Sequence, residues 1–391
     1  MDDGRVGVYV HVPFCERVCP YCDFAVVAAR RLAVEAEERY VAALLRELDG
    51  RRELFAGRGL ASLYLGGGTP SLLRPESVAR IVDGVGAAFE PEGALEVTLE
   101  VNPSTLERAR LPGFRAAGVN RLSVGVQSFD DRALKVLGRA HRAEEARASL
   151  AAAREAGFEN LSLDLIFGVP GQGRAEVARD VAEAASFGPT HVSAYELTVE
   201  AGTPYATGVA RGTLTPPGDE DVLAMMDAVG EGLAAAGLPA YEISSYARPG
   251  FESVHNRRYW ERTPVLGLGM GAWSWEPPRP DARFGARRAN PRRLEVYLER
   301  VESGKPAAEA PLEVPDESTA RSEAAFLALR TRRGLDASGF AAEFGRRPRQ
   351  VYGGAIDELR EAGLLEEDRE GDLRLTPKGR RLSDTVFERF V

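Results

Sequence analysis

All three cysteines of this 391-residue chain fall in one stretch, FCERVCPYCDF: Cys15, Cys19 and Cys22. Their spacing admits three chemistries. The inner C-P-Y-C reads as a redox dithiol, but that leaves Cys15 without a role. A structural zinc site takes four ligands, and the nearest fourth, His11, lies inside a strand-like run between Val10 and Val12. Three thiolates in one tight loop after a strand suit a [4Fe–4S] cluster. Such a cluster normally takes four cysteines, so three leave one iron open to an exogenous ligand.

Other polar groups stand where apolar runs end. Gly66, Gly67 and Gly68 close SLYLGGG, where the missing side chains let the backbone approach a ligand. Glu100 and Gln127 close the next two runs, Asp164 lies within LSLDLIFGV, and Arg139 follows in LGRAH. A carboxylate in an apolar strand is costly to bury without a partner. Glu100 pairing with Arg139 is the plain structural reading. The chain has only four histidines, His11, His141, His191 and His255. His255 sits in HNRRYW, where Tyr259 and Trp260 are aromatic neighbours and Arg257 or Arg258 suits carboxylates. The plain alternative makes His255 and Asn256 loop anchors.

The elements that must position these groups alternate. Strand-like runs at 6–12, 62–68, 95–102, 121–128, 161–169 and 191–199 are separated by helical patterns at 34–55, 75–89, 104–117, 142–157 and 174–187. Near-continuous apolar strands alternating with helices predict a parallel α/β sheet. Gly118, Gly157 and Gly237 each follow a helix and precede a strand, as left-handed caps do. Beyond Val199 a helix is expected near 219–236 and a strand at 240–246. The Pro- and Arg-rich 276–292 reads as an irregular connection, and helical patterns return at 292–302 and 316–330. The tail from 350 reads helix, hairpin, helix, the outline of a winged-helix module. Divisions are expected at 1–236, 237–300 and 301–391.

Bulk properties exclude some functions. The net charge is −9, and the last 42 residues carry ten acidic against seven basic groups, so no nucleic-acid partner is expected. No run of about 18 apolar residues is present. No basic segment with an apolar stretch precedes Val6, so no secretory signal is expected. So few cysteines suit a reducing cytoplasm.

The motifs YVHVPFCERVCPYCDF, LGGGTPS, EVNPST, RLSVGVQSF, LGRAH, LDLIFGVPGQ, YELTVEAGTPY and HNRRYW occur in one order. In this the chain resembles the HemW heme chaperones, radical S-adenosylmethionine (SAM) proteins related to oxygen-independent coproporphyrinogen III oxidase. The resemblance spans nearly the whole chain. It implies a partial (β/α)6 radical SAM barrel with a C-terminal, mostly helical, winged-helix-like module. It implies a [4Fe–4S] cluster on Cys15, Cys19 and Cys22. SAM is expected on Tyr9, Tyr21, Gly67, Gly68, Thr69, Glu100, Gln127, Arg139 and Asp164, with Tyr21 acting through its backbone. Heme is expected at His255, for delivery to acceptor proteins, membrane-associated ones among them. No catalytic residue is assigned. The alternative is a coproporphyrinogen oxidase. Two departures favour the chaperone: Phe24 stands where the oxidases carry a further cysteine, and Tyr9 lies eight residues from the start, where they carry a longer N-terminal segment. Gly173 and Ser245 depart slightly from the HemW pattern, at positions where no ligand is expected.

Overall fold

Alternation within each strand decides what the sheet does. In the computed structural model, which describes residues 3–308 and 312–391, six strands follow one another in chain order, each parallel to the next. They are β1 (Arg5–Val12), β2 (Gly59–Gly67), β3 (Pro91–Val101), β4 (Arg121–Gln127), β5 (Asn160–Phe167) and β6 (His191–Glu196). Val8 and Val10, Leu63 and Leu65, Val97 and Leu99, Leu122 and Val124, and Leu161 and Leu163 belong to one buried core. Each such side chain contributes about 1.5–3 kcal/mol on burial. The residues between them carry polar groups. Tyr9, Tyr64, Thr98 and Arg121 stand in register across four strands, and Ser123, Ser162 and His191 across three. The barrel therefore has an apolar outside and a polar inside, which near-continuous apolar runs did not predict.

The helices α1 (Val34–Arg51), α2 (Pro75–Ala88), α3 (Thr105–Ala116), α4 (Asp131–Val136), α5 (Ala143–Glu155) and α6 (Arg174–Ser186) connect the strands. Gly118 and Gly157 have φ of +95° and +82°, in the left-handed region that a glycine enters without strain. In each case the next residue's N–H reaches back to a helical carbonyl: Val119 to Phe114 and Phe158 to Ala153 (both 3.1 Å).

Beyond β6 come α7 (Pro204–Ala210) and α8 (Asp219–Ala235). The stretch 237–300 then joins the sheet at both ends. Strand β7 (Ser245–Ala247) lies antiparallel on β6, while β8 (Val265–Leu268) lies parallel on the far side of β1. Strands β9 (Trp273–Glu276) and β10 (Ala286–Ala289) continue outward, giving ten strands in the order β10-β9-β8-β1-β2-β3-β4-β5-β6-β7. Helix α9 (Val254–Trp260) carries HNRRYW, and α10 (Leu294–Glu302) packs on α1.

Two expectations fail here. Residues 276–292 are not irregular throughout, because β10 lies among them. Its arginines are held by acidic neighbours: Arg288 Nε donates to Glu276 (2.7 Å), and Arg287 pairs with Glu313 (2.6 Å). Of the expected strand at 240–246, only its end forms, as Ser245–Ala247.

The C-terminal region is built of α11 (Glu317–Leu329), α12 (Ala337–Phe344), α13 (Pro348–Glu361), the hairpin β11 (Leu365–Glu367) and β12 (Leu373–Leu375), and α14 (Pro377–Arg381) with α15 (Ser383–Phe387). It has its own core around Leu329, Ile356 and Phe390, which Phe284 joins from the preceding stretch. The order helix, hairpin, helix is the one expected of the tail.

Candidate functional site

The chain leaves β1 through a two-residue strand, Phe14–Cys15, that pairs with Val27–Ala28 and closes the cysteine loop at its base. Cys15 is buried; Cys19 and Cys22 are half-buried, and Cys22 N–H donates to Cys19 O (3.1 Å). No two of the cysteines are joined as a disulfide. Burial pushes the Cys15 thiol up to about 11, with the Thr69 hydroxyl beside it pulling the other way. The three sulfurs do not all lie within 4.8 Å of one another. One tetrahedral zinc, with bonds of about 2.3 Å, would draw them to about 3.8 Å. His11 is no fourth ligand, because Nε2 bonds Ala25 O (2.8 Å) and Nδ1 bonds Tyr9 Oη (3.1 Å). The donor set fits a cuboidal cluster held by three thiolates.

The glycines beside the loop form a cradle that a Cβ would fill. A Cβ on Gly68 would stand 2.9 Å from Cys15 Sγ, and one on Gly66 3.0 Å from Glu100 Oε1. Gly67, at φ +111°, sends its N–H to Glu100 Oε2 (3.0 Å). Glu100 also accepts from Tyr64 Oη (2.9 Å). Burial, with Asp164 adding its charge, pushes the Glu100 carboxyl up to about 7. Asp164 accepts from Ser123 Oγ (3.1 Å) and is raised by burial too. Gln127 holds φ at +66°, rare for a residue with a side chain, just past an irregularity in the β4–β5 pairing. Arg139 does not pair with Glu100. Its Nη2 donates to Asn102 Oδ1 (2.5 Å) and Gly125 O (3.2 Å), and Nη1 donates to Cys19 Sγ (3.6 Å). Its Nε is buried without a partner. That orphaned donor fits an incoming carboxylate.

These groups line one cavity of about 520 Å³ at the C-terminal ends of the strands, where barrel chemistry gathers. The cavity brings together Cys15, Cys19, Cys22, Tyr21, Gly67, Gly68, Thr69, Glu100, Gln127, Arg139 and Asp164. Tyr21 lies on the cavity wall with Arg139 and Cys19. Tyr9 is not among the lining residues: its ring stacks on Tyr64, one layer back (6.1 Å between ring centres). Sequence reasoning missed Tyr64, Asn102, Arg121, Ser123 and Ser193, which line the same cavity. The available signal was position, since four of the five are polar residues inside apolar strands.

His255 is not brought to this cavity. It is 1% exposed, with Nδ1 on Ser62 Oγ (3.0 Å) and Nε2 on Tyr259 Oη (3.1 Å). Burial, with Arg258 and Arg121 nearby, pushes its pKa down to about 3, so the ring is neutral. With both nitrogens bonded, the ring as placed offers none to iron. Arg258 is buried as well and pairs with Asp3 (3.1 Å). Glu96 pins the start of α9, accepting from the N–H groups of Val254 (3.2 Å) and His255 (3.1 Å). The next residue, Asn256, lines the barrel cavity. Arg257, Trp260 and Glu261 line a second, larger cleft of about 1070 Å³ between 237–300 and the C-terminal region. Helix α9 is thus a wall common to both.

Residues 9–184 match the Radical SAM superfamily, and residues 316–382 match the HemN C-terminal domain. The chain is 34% identical to the heme chaperone HemW of Bacillus subtilis (strain 168), over 98% of this chain and 99% of that protein. It is 37% identical to the heme chaperone HemW of Mycobacterium tuberculosis (strain ATCC 25618 / H37Rv), over 97% and 93%. Its fold is shared with the solved coproporphyrinogen III oxidase (HemN) of Escherichia coli, with a TM-score of 0.83, 24% identity, and coverage of 99% of this chain and 90% of that one. By its cysteine loop, its barrel and its full-length likeness to those chaperones, the chain belongs to the HemW family within the radical SAM superfamily.

Proposed function

We propose that this protein is a heme chaperone that carries a [4Fe–4S] cluster and SAM and delivers heme to acceptor proteins. Cys15, Cys19 and Cys22 hold the cluster. The Gly67–Gly68–Thr69 cradle, Glu100, Gln127, Arg139 and Asp164 hold SAM, with Tyr21 alongside and Tyr9 supporting Tyr64 from behind. A reduced cluster of this kind supplies an electron to the SAM sulfonium; the residues around it orient the ligand and shield it from water.

The observation that carries the chaperone reading over the oxidase is Phe24. It lines the cavity mouth 65% exposed, where the resemblance leads one to expect a further thiol in a coproporphyrinogen oxidase. The cleft beside α9 supports heme binding. Its volume of about 1070 Å³ lies just above the about 300–1,000 Å³ usual for small-molecule sites. Trp260, Trp275 and Phe340 offer aromatic walls, and five arginines face four acidic residues in a chain of net charge −9. Trp260 Nε1 and Arg262 Nε are buried without partners. Axial ligation by His255 requires α9 to turn the ring away from Ser62 and Tyr259.

The test is anaerobic reconstitution with iron and sulfide, followed by heme titration and a coproporphyrinogen III decarboxylation assay on the same sample. The expected result is a Soret band that saturates with heme and no decarboxylation. Turnover of coproporphyrinogen III overturns the chaperone reading. Trp260→Ala weakening heme binding while His255→Ala leaves it intact places heme in the cleft. The reverse pattern places it on the histidine.

A further inference from the structure

Two of the three cysteine sulfurs receive hydrogen bonds from side chains outside their own loop, and one amide stands between the two donors. Thr69 Oγ1 donates to Cys15 Sγ (3.8 Å), and Arg139 Nη1 donates to Cys19 Sγ (3.6 Å). Asn102 touches both donors: its Nδ2 donates to Thr69 Oγ1 (2.8 Å), and its Oδ1 accepts from Arg139 Nη2 (2.5 Å). Chemistry fixes this orientation. A guanidinium has donors only, so the amide oxygen must face Arg139 and the amide nitrogen must face Thr69. A hydroxyl has a single proton. Because Thr69 Oγ1 accepts from Asn102, its proton is directed to Cys15. Because Oδ1 and Gly125 O hold Nη2, the other arm of the guanidinium is directed to Cys19. Asn102 itself sits at the end of β3, one residue past Val101, where its backbone N–H is fixed by buried Glu107 (2.8 Å). Cys22 is served instead by the backbone N–H of Phe24.

We propose that Asn102 is a positioning residue that aims two donors at two metal-ligating sulfurs and thereby sets the reduction potential of the centre. This rests on the reading of Cys15, Cys19 and Cys22 as cluster ligands. Hydrogen bonds to thiolate sulfur withdraw electron density and favour the reduced, more negative state, so they raise the potential. Asn102 touches neither sulfur; it acts through Thr69 and Arg139.

The test is a redox titration of anaerobically reconstituted protein, followed by electron paramagnetic resonance, with iron and sulfide content measured on each sample. Asn102→Ala is expected to load a normal cluster whose reduction is about tenfold less favoured, a fall of about 59 mV for one electron. Asn102→Asp is nearly isosteric and keeps the oxygen for Arg139, but it accepts the Thr69 proton that Cys15 now receives. Its potential falls too, and adding Thr69→Val to it lowers the potential no further, whereas Thr69→Val alone does. Thr69→Ser, which keeps the hydroxyl, retains the wild-type potential. An unchanged potential in either Asn102 variant with a full cluster overturns the proposal. So does a further fall when Thr69→Val is added to Asn102→Asp. If Asn102→Ala fails to load, the aspartate and threonine variants decide by the same criteria. A wild-type protein that takes up no iron and sulfide overturns the cluster reading itself, a distinct result.

Discussion

The barrel mouth and helix α9 hold the same kinds of side chain and use them in opposite ways. At the mouth, polar groups are bonded on one side and open on the other. Glu100 takes two protein donors yet faces the cavity, and Arg139 keeps an unpartnered Nε. At α9, His255 has both ring nitrogens bonded, its backbone N–H capped by Glu96, and almost no exposure. The first arrangement is incomplete without a ligand; the second is complete without one. A motif marks both kinds of place alike, and unspent bonding capacity tells them apart.

The largest effect expected from this contrast is at the mouth. Cys15→Ala, Cys19→Ala or Cys22→Ala should abolish iron and sulfide uptake, with far-UV circular dichroism little changed, while His255→Ala takes up the full complement. A cysteine variant that loads normally breaks the comparison. Next, Asp164→Asn or Glu100→Ala should weaken SAM binding about 10- to 100-fold, the loss of about 1.5–3 kcal/mol from a hydrogen bond to a charged group. The cluster persists. Equilibrium binding of SAM to the reconstituted variants measures this, and unchanged affinity in both sinks the assignment.

The third effect belongs to α9. His255→Ala leaves Ser62 Oγ without its partner in a buried site, and about 1–3 kcal/mol of stability should be lost. Urea unfolding measures it, and a variant as stable as wild type refutes the scaffold role.

The smallest effect is in pH. Burial raises Glu100 to about 7 from 4.5, so the folded chain keeps a proton that the unfolded chain releases. The stability linked to that proton is fully present below about pH 4.5 and is lost as pH rises through about 7. Glu100→Gln cannot lose a proton. Its melting temperature relative to wild type should therefore climb between pH 5 and pH 8, and a constant difference contradicts the shift.

Much of this was legible in the sequence because apolar runs of several residues announce strands whatever surrounds them. The six parallel strands and the connecting helices follow from periodicity, and the cysteine loop from spacing. Strand β7 was read only as the end of a longer run at 240–246, and β8 was not legible. They are three and four residues long, and their pairing with β6 and β1 is set by tertiary packing. At the site, Glu100 and Asp164 in apolar strands drew notice, while Arg121, Tyr64, Ser123 and Asn102 did not. Neutral polar side chains are common on half-buried strands, and only three-dimensional register shows which ones face inward. His255 shows the other side of the same limit. A histidine among aromatics and arginines looks like a ligand, and only the positions of Ser62 and Tyr259 reveal that its bonds are already made.

Helix α9 separates the barrel cavity from the cleft, with Asn256 on one side and Trp260 on the other. A wall held in common makes two occupancies into one thermodynamic cycle. Whatever factor a ligand in the barrel imposes on affinity in the cleft, a ligand in the cleft must impose on affinity in the barrel. The loading order then carries no information about the coupling, and the two half-cycles, titrated separately, must give one number. A factor of one makes α9 an inert partition. Any other value means that the two chambers exchange free energy, and Glu96, which pins the start of α9, is then a residue at which to test the route.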